Sequence, residues 1–194
     1  MAATDNAAEQ VAHIAEKIRA GKTTLGIEFG STRIKAVLID DNFQTIASGD
    51  YSWASHLEDG LWSYTTEEIW GGLQSAYASM ANDVETAYGE KLTHVGHIAM
   101  MHGYLAFDEA GELLVPFRTW QNTNTSEAHK KLSELFQYNI PERWSIAHLY
   151  QAVLNKEEHV SKVAYFTTLA GYVHWKLTGK KVLGVGDASG MFPI

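Results

Sequence analysis

The chain has 194 residues, with 15 Lys and Arg against 23 Asp and Glu, a formal charge of −8, no Cys and three Pro. Zero cysteines exclude a disulfide scaffold and any Cys-based zinc or redox site; an acidic balance without a basic patch argues against nucleic-acid binding through counterion displacement. With 45% hydrophobic residues it can bury a sizeable core, and no apolar run approaches the ~18 residues of a membrane span.

Residues 1–23 read as an extension in front of the fold. Ala7, Ala8, Val11, Ile14, Ala15 and Ile18 recur at helical spacing and Gly21 is a stop, which predicts an amphipathic helix docked on the body or on a partner. The N-terminus lacks the apolar core of a signal peptide, so the expected location is cytoplasmic. Gly21-Lys22-Thr23 is not a phosphate-binding P-loop, because position 16 is Glu16 where that motif needs glycine.

Three short strands follow: Thr24–Phe29, Ile34–Ile39 and Gln44–Gly49. Turns at Gly30–Arg33 and Asp40–Phe43 join them into an antiparallel meander. Thr65 to Glu68 fits a capping box. Ile69, Leu73, Tyr77, Met80, Val84 and Tyr88 then share one helical face, and Gly89 ends the helix. Further on, Val95–Met100 reads as a strand, and Tyr104–Phe107 with Leu113–Val115 as a hairpin. Helices are expected near 127–137, 147–154 and 169–177, the last closed by Gly179. Strands are expected near 163–166 and 181–185. The pattern is α/β, a mixed sheet of about five strands with an antiparallel first three, flanked by helices.

Gly26-Ile27-Glu28-Phe29-Gly30-Ser31-Thr32-Arg33-Ile34-Lys35 carries the most chemistry. A strand delivers a carboxylate, glycine permits a tight turn, and two hydroxyl residues follow. Successive backbone N–H groups in such a turn can converge on an anion, and Glu28 can face a hydrated Mg²⁺ across the phosphates. The residues alone are equally an ordinary β-hairpin with a Gly-Ser-Thr turn.

This segment resembles the first phosphate motif of the FGGY carbohydrate kinases, members of the actin-like, ribonuclease-H-fold ATPases. Four further stretches resemble the family in its order: Gly60-Leu61-Trp62 leading into Thr66–Trp70, Met100-Met101-His102-Gly103, Trp120-Gln121-Asn122, and Leu177-Thr178-Gly179 with Asp187-Ala188-Ser189-Gly190. The Met-His-Gly stretch is nearest to xylulokinases.

The resemblance implies an ATP- and Mg²⁺-dependent kinase acting on a hydroxyl of a ketose or polyol. Glu28 would face the metal, and Gly30, Ser31, Thr32 and Lys35 would form the phosphate turn. Met101 and His102 would line the sugar site, with Trp120 and Asn122 as its other wall. Residues 24–194 would be the N-terminal, sugar-binding domain. The adenine pocket and the catalytic base would belong to a C-terminal domain absent from this chain, so no catalytic residue is assigned and the chain alone is expected to be inactive. A small-molecule sugar or polyol is the expected partner, with no nucleic acid and no membrane; a homodimer is left open. The chain departs from the family pattern at Glu28 and Asn122, where Asp is usual, at Asn124, where many members carry Arg, and at Met100, where Gln is usual. Alternative readings are an actin-like ATPase that activates a partner enzyme and a non-catalytic sugar-binding domain.

Other features read as structural. His94 and His97 fall on opposite faces of a strand and do not make a metal cluster with His102. Trp70, Tyr77 and Tyr88 take core or boundary spacing, His148 and His174 lie in helices, and Glu157-Glu158 reads as a solvated face.

Overall fold

A computed structural model describes residues 2–92, 98–99 and 102–193. The chain opens with α1 (Ala2–Arg19), β1 (Thr23–Phe29), β2 (Arg33–Asp40), β3 (Thr45–Ser52), β4 (His56–Glu58), β5 (Leu61–Ser63) and α2 (Thr66–Tyr88). It continues with β6 (Ile98–Ala99), β7 (Leu105–Phe107), α3 (Ser126–Phe136), α4 (Ser145–Leu154), β8 (Tyr165–Thr167), α5 (Leu169–Thr178) and α6 (Val185–Ala188). No helix among the described residues is long and apolar enough to cross a membrane. Two compact units result, residues 1–54 with 66–98 and residues 55–65 with 99–194.

The first unit is a sheet in the order β3-β2-β1-β6 with the expected antiparallel meander. Leu25, Ile27 and Phe29 of β1 and Ile34, Ala36 and Leu38 of β2 are buried, while Glu28 and Lys35 between them are exposed. That alternation puts one face of the sheet on a core and the other in water. α2 covers the core face, but its buried stripe is Ile69, Gly72, Ala76, Met80 and Val84. The expected Leu73, Tyr77 and Tyr88 are half-buried. The cause is the closeness of the packing. A Cβ on Gly49 of β3 would lie 2.4 Å from the Ala76 carbonyl oxygen and 2.6 Å from the Met80 nitrogen. Small residues on both elements permit that approach, and the larger ones are turned to its flanks.

α1 docks on the body through its last turns. Ala15 and Ile18 are buried, and Lys17 Nζ reaches Asp40 at 2.7 Å and Asp41 at 2.6 Å. Gly21 follows at φ 67°, a left-handed conformation that suits glycine. The Lys17 hydrogen bond, with backbone N–H donors from Gln44 and Asn42, holds the Asp40 carboxyl down to about 2.

In the second unit β4 pairs with β5 around Asp59 (φ 49°) and Gly60 (φ 80°), the Asp-Gly dipeptide of a two-residue hairpin. Leu132, Ile140, Trp144 and Ala147 join α3 and α4 in a buried cluster. Gly179 caps α5 in the left-handed conformation, as its sequence position predicts.

Three expectations need correction. The sheet has four strands among the described residues, with separate two-stranded ladders β4-β5 and β7-β8, in place of about five in one sheet. Leu113–Val115 does not form a strand. The turn at Asp108–Gly111 is present, but β7 pairs with β8, and the return arm meets β7 through the isolated Phe107–Leu113 bridge and a Leu114 N–H bond to the Ala106 carbonyl. Residues 181–185 are not a strand either. Lys181 Nζ lies 4.4 Å over the Trp175 ring and 5.0 Å over Tyr165, while Val182 and Val185 are exposed and, among the described residues, pair with no strand. Of the expected strand at Val95–Met100, only Ile98–Ala99 is a described strand; His94, His97, Met100 and Met101 lie outside the described residues.

Candidate functional site

Gly30, Ser31 and Thr32 connect β1 to β2 in the first unit. The Gly30 N–H donates to the Arg33 carbonyl at 2.9 Å, and a Cβ at Gly30 would stand 3.0 Å from that same oxygen. The turn therefore closes most tightly around glycine. Trp53 holds it from outside. Its indole N–H donates to the Gly30 carbonyl at 2.7 Å, its backbone N–H donates to the Thr32 carbonyl at 3.1 Å, and its ring sits 6.3 Å from Phe29. Two carbonyl dipoles of the turn are thus taken up by one residue, which favours an anion among the turn's N–H and hydroxyl groups.

Glu28 and Lys35 are direct cross-strand partners on the solvent face. Opposite charges in that register contribute roughly 0.2–1 kcal/mol. Among the described residues no group of three or more His, Cys, Asp or Glu side chains is placed to hold a metal. A single carboxylate suits a Mg²⁺ that arrives on phosphates, since this ion keeps several waters and takes one or two carboxylates. It does not suit a resident metal.

The second unit carries His102, Trp120 and Asn122. His102 has φ 73°, a left-handed conformation uncommon for a residue with a Cβ and a frequent mark of functional sites. Gly103 follows at φ 90°, where a Cβ would meet the Phe117 ring at 2.8 Å and the Arg118 carbonyl oxygen at 2.9 Å. The Gly103 N–H donates to the Arg143 carbonyl at 3.3 Å, and the Gly103 carbonyl accepts from Ser145 Oγ at 2.5 Å. His102 Nδ1 pairs with the Gly190 carbonyl at 3.0 Å.

Trp120 is 43% exposed, so its ring is offered to solvent. Asn122 is buried, and its amide is spent on backbone. Oδ1 accepts from the Trp62 N–H at 2.8 Å, and Nδ2 donates to the carbonyls of Trp62 at 2.9 Å and Thr119 at 3.0 Å. Asn122 thus fixes the backbone under a second exposed indole, Trp62.

Asp187 lies in the same unit. Thr168 Oγ1 donates to its carboxylate, at 2.9 and 2.7 Å from the two oxygens, and accepts from the Gly171 N–H at 3.2 Å. Burial pushes the Asp187 carboxyl up, and the Thr168 hydroxyl and the His102 ring oppose that shift.

A buried polar cluster completes the unit and corrects the reading of Glu157 as a solvated face. Arg118, 4% exposed, pairs through both terminal nitrogens with the Glu157 carboxylate. Burial works to raise Glu157, but the guanidinium holds it below the usual carboxylate range. The Tyr104 hydroxyl meets His159 Nε2 at 3.0 Å and is pushed up to about 12 by burial. His148 stacks on Tyr104 with ring centroids 6.4 Å apart, neither ring nitrogen has a hydrogen-bond partner among the described residues, and burial takes it down to about 3.

Residues 23–193 match the profile of the FGGY family of carbohydrate kinases, N-terminal domain. The chain belongs to this family. It is 24% identical over 176 residues to the xylulose kinase of Staphylococcus xylosus, covering 86% of this chain and 36% of that protein. It is 25% identical over 179 residues to the gluconokinase of Bacillus subtilis, covering 86% and 34%. The fold matches the crystal structure of a xylulose kinase from Brucella ovis (TM-score 0.77, 17% identity, 87% of this chain and 37% of that one). It also matches Plasmodium falciparum glycerol kinase with ADP (TM-score 0.72, 17% identity, 87% and 37%). The chain spans roughly a third of the length of these relatives. Such neighbours establish the actin-like fold expected from the sequence.

Proposed function

We propose that the chain is the sugar-binding domain of an ATP- and Mg²⁺-dependent carbohydrate kinase that phosphorylates a hydroxyl of a ketose or polyol. The observation that carries this reading is His102, at a strained backbone position, with its ring on the Gly190 carbonyl and the following Gly103 held by Arg143 and Ser145, inside a family whose relatives are xylulose and gluconate kinases. Met101, His102 and Trp120 supply the sugar's polar partner and apolar wall, with Asn122 acting through the backbone of Trp62. This suits a polyol, which needs a few directed hydrogen bonds and an apolar surface for its C–H groups.

Gly30, Ser31, Thr32 and Lys35 take the nucleotide phosphates, and Glu28 takes the metal they carry. The sugar hydroxyl oxygen forms a bond to the γ-phosphorus as the bond to the β,γ-bridging oxygen breaks, and ADP leaves. The hydroxyl proton passes to a base supplied outside residues 24–194. The residues of this chain contribute positioning and charge neutralisation, which dominate phosphoryl transfer. A coupled ADP-release assay with the complete kinase and a panel of ketoses, polyols and aldonates tests the reading. Turnover with a ketose or polyol supports it, turnover with an aldonate alone overturns the ketose or polyol assignment, and nucleotide hydrolysis indifferent to all of them favours the partner-activating ATPase.

A further inference from the structure

We propose that Asp187 and the Gly190 carbonyl are positioning groups for His102: they hold its ring as the Nδ1–H tautomer, so that Nε2 acts as a hydrogen-bond acceptor and the site selects a hydroxyl that donates. This rests on the reading of His102 as a sugar ligand.

A carbonyl oxygen can only accept, so the 3.0 Å contact between Nδ1 and the Gly190 oxygen requires the proton on Nδ1. In the neutral ring Nε2 then carries the lone pair. Which nitrogen holds the proton is set by the partner of the other one.

The position of Gly190 is fixed from two directions. Its N–H donates to the Asp187 carbonyl at 3.0 Å, and the Asp187 carboxylate is anchored by Thr168 Oγ1 at the first turn of α5. One residue on, the Met191 carbonyl accepts from the Ile146 N–H at 3.2 Å. The segment 143–146 also holds Gly103, through the Arg143 carbonyl and Ser145 Oγ. A single short stretch therefore spaces His102 against Gly190, and the Thr168–Asp187 contact prevents α6 from drifting away. Removing that contact loosens the carbonyl, and the ring becomes free to exchange tautomers.

Nitrogen-15 NMR of the histidine rings in the 194-residue chain tests this, with the signal lost in H102Q identifying residue 102. Nδ1 is expected as the protonated nitrogen and Nε2 as the bare one. D-xylulose or D-gluconate is expected to move Nε2. In T168V and D187N the ring is expected to show mixed tautomers, with the affinity of the binding sugar down about tenfold, the scale of one lost hydrogen bond. T168S, which keeps the hydroxyl, should restore both. A proton on Nε2 in the wild type overturns the proposal. So does a ring unchanged in both T168V and D187N. If the tautomer is as stated but neither sugar moves a ring nitrogen, the sugar-site reading of His102 fails, and the acceptor role with it, while the positioning by Asp187 and Gly190 stands.

Discussion

Asn122 closes its side-chain amide on the backbone of Trp62, accepting from its N–H at 2.8 Å and donating to its carbonyl at 2.9 Å. The same Nδ2 donates to the Thr119 carbonyl at 3.0 Å, inside a site that is 4% exposed. A carboxylate of the same size, the residue usual in the family, lacks both donated protons. It would also set a charge against two carbonyl oxygens. Asn122→Asp should therefore destabilise the chain by about 1–3 kcal/mol, the cost of leaving buried groups unpaired. Thermal unfolding at neutral pH checks it, and an unchanged Tm would show that the amide bonds contribute nothing net.

The contact of α2 with β3 at Gly49 makes a second prediction. Gly49→Ala places a methyl 2.4 Å from the Ala76 carbonyl oxygen and 2.9 Å from Ser79 Cβ. Helix backbone cannot step aside as a side-chain tip can, so overpacking should cost about 1–3 kcal/mol. Gly26→Ala has nothing within 4 Å and serves as the control. Equal melting of the two variants would contradict the close packing.

Acid should unfold this protein partly through His148. Above pH 6.5 its ring is neutral in both folded and unfolded chains. Below 6.5 the unfolded chain takes up a proton that the folded chain refuses until about pH 3. Stability should then fall by up to roughly 1.4 kcal/mol per pH unit. His159, also depressed by burial, acts in the same direction, and Asp187, raised by burial, acts in the opposite one. His148→Leu removes two unpartnered buried nitrogens, so it should stabilise the chain at pH 7 by about 1 kcal/mol and flatten the acid slope. Denaturant melts between pH 4 and 8, a window set by the pH 6.5 reference value and the depressed His148, measure both. A variant with the wild-type slope would assign the acid loss to other groups.

The meander, α2 and the capped helix α5 were legible because alternation, helical spacing and Gly179 are local signals. The Asp59-Gly60 dipeptide between β4 and β5 is an equally local hairpin signal. Trp53, Arg118 with Glu157, and Thr168 with Asp187 were not legible. Their partners lie 19 to 39 residues away, and nothing in a single sequence marks such pairs. The strand expected at 181–185 failed because a short β-branched and apolar run such as Val182, Leu183 and Val185 signals a strand only where a neighbour exists to pair with it.

Glu28→Gln in the complete kinase should lower kcat about 10²–10³-fold if the carboxylate acts, as proposed above, on the metal and phosphate side where charge changes during transfer. Sugar KM should change little. The reverse pattern in steady-state kinetics, a raised KM at constant kcat, would move Glu28 to the sugar side.

On the reading proposed above, sugar binding belongs to the second unit, at His102 and Trp120. Amide NMR mapping of the 194-residue chain with D-xylulose and with D-gluconate tests it most directly. Shifts induced by at least one of them should concentrate at 102–103, 119–122 and 189–190 and leave 30–35 in place. Shifts confined to other regions, or saturable binding that persists unchanged in H102A, would contradict it.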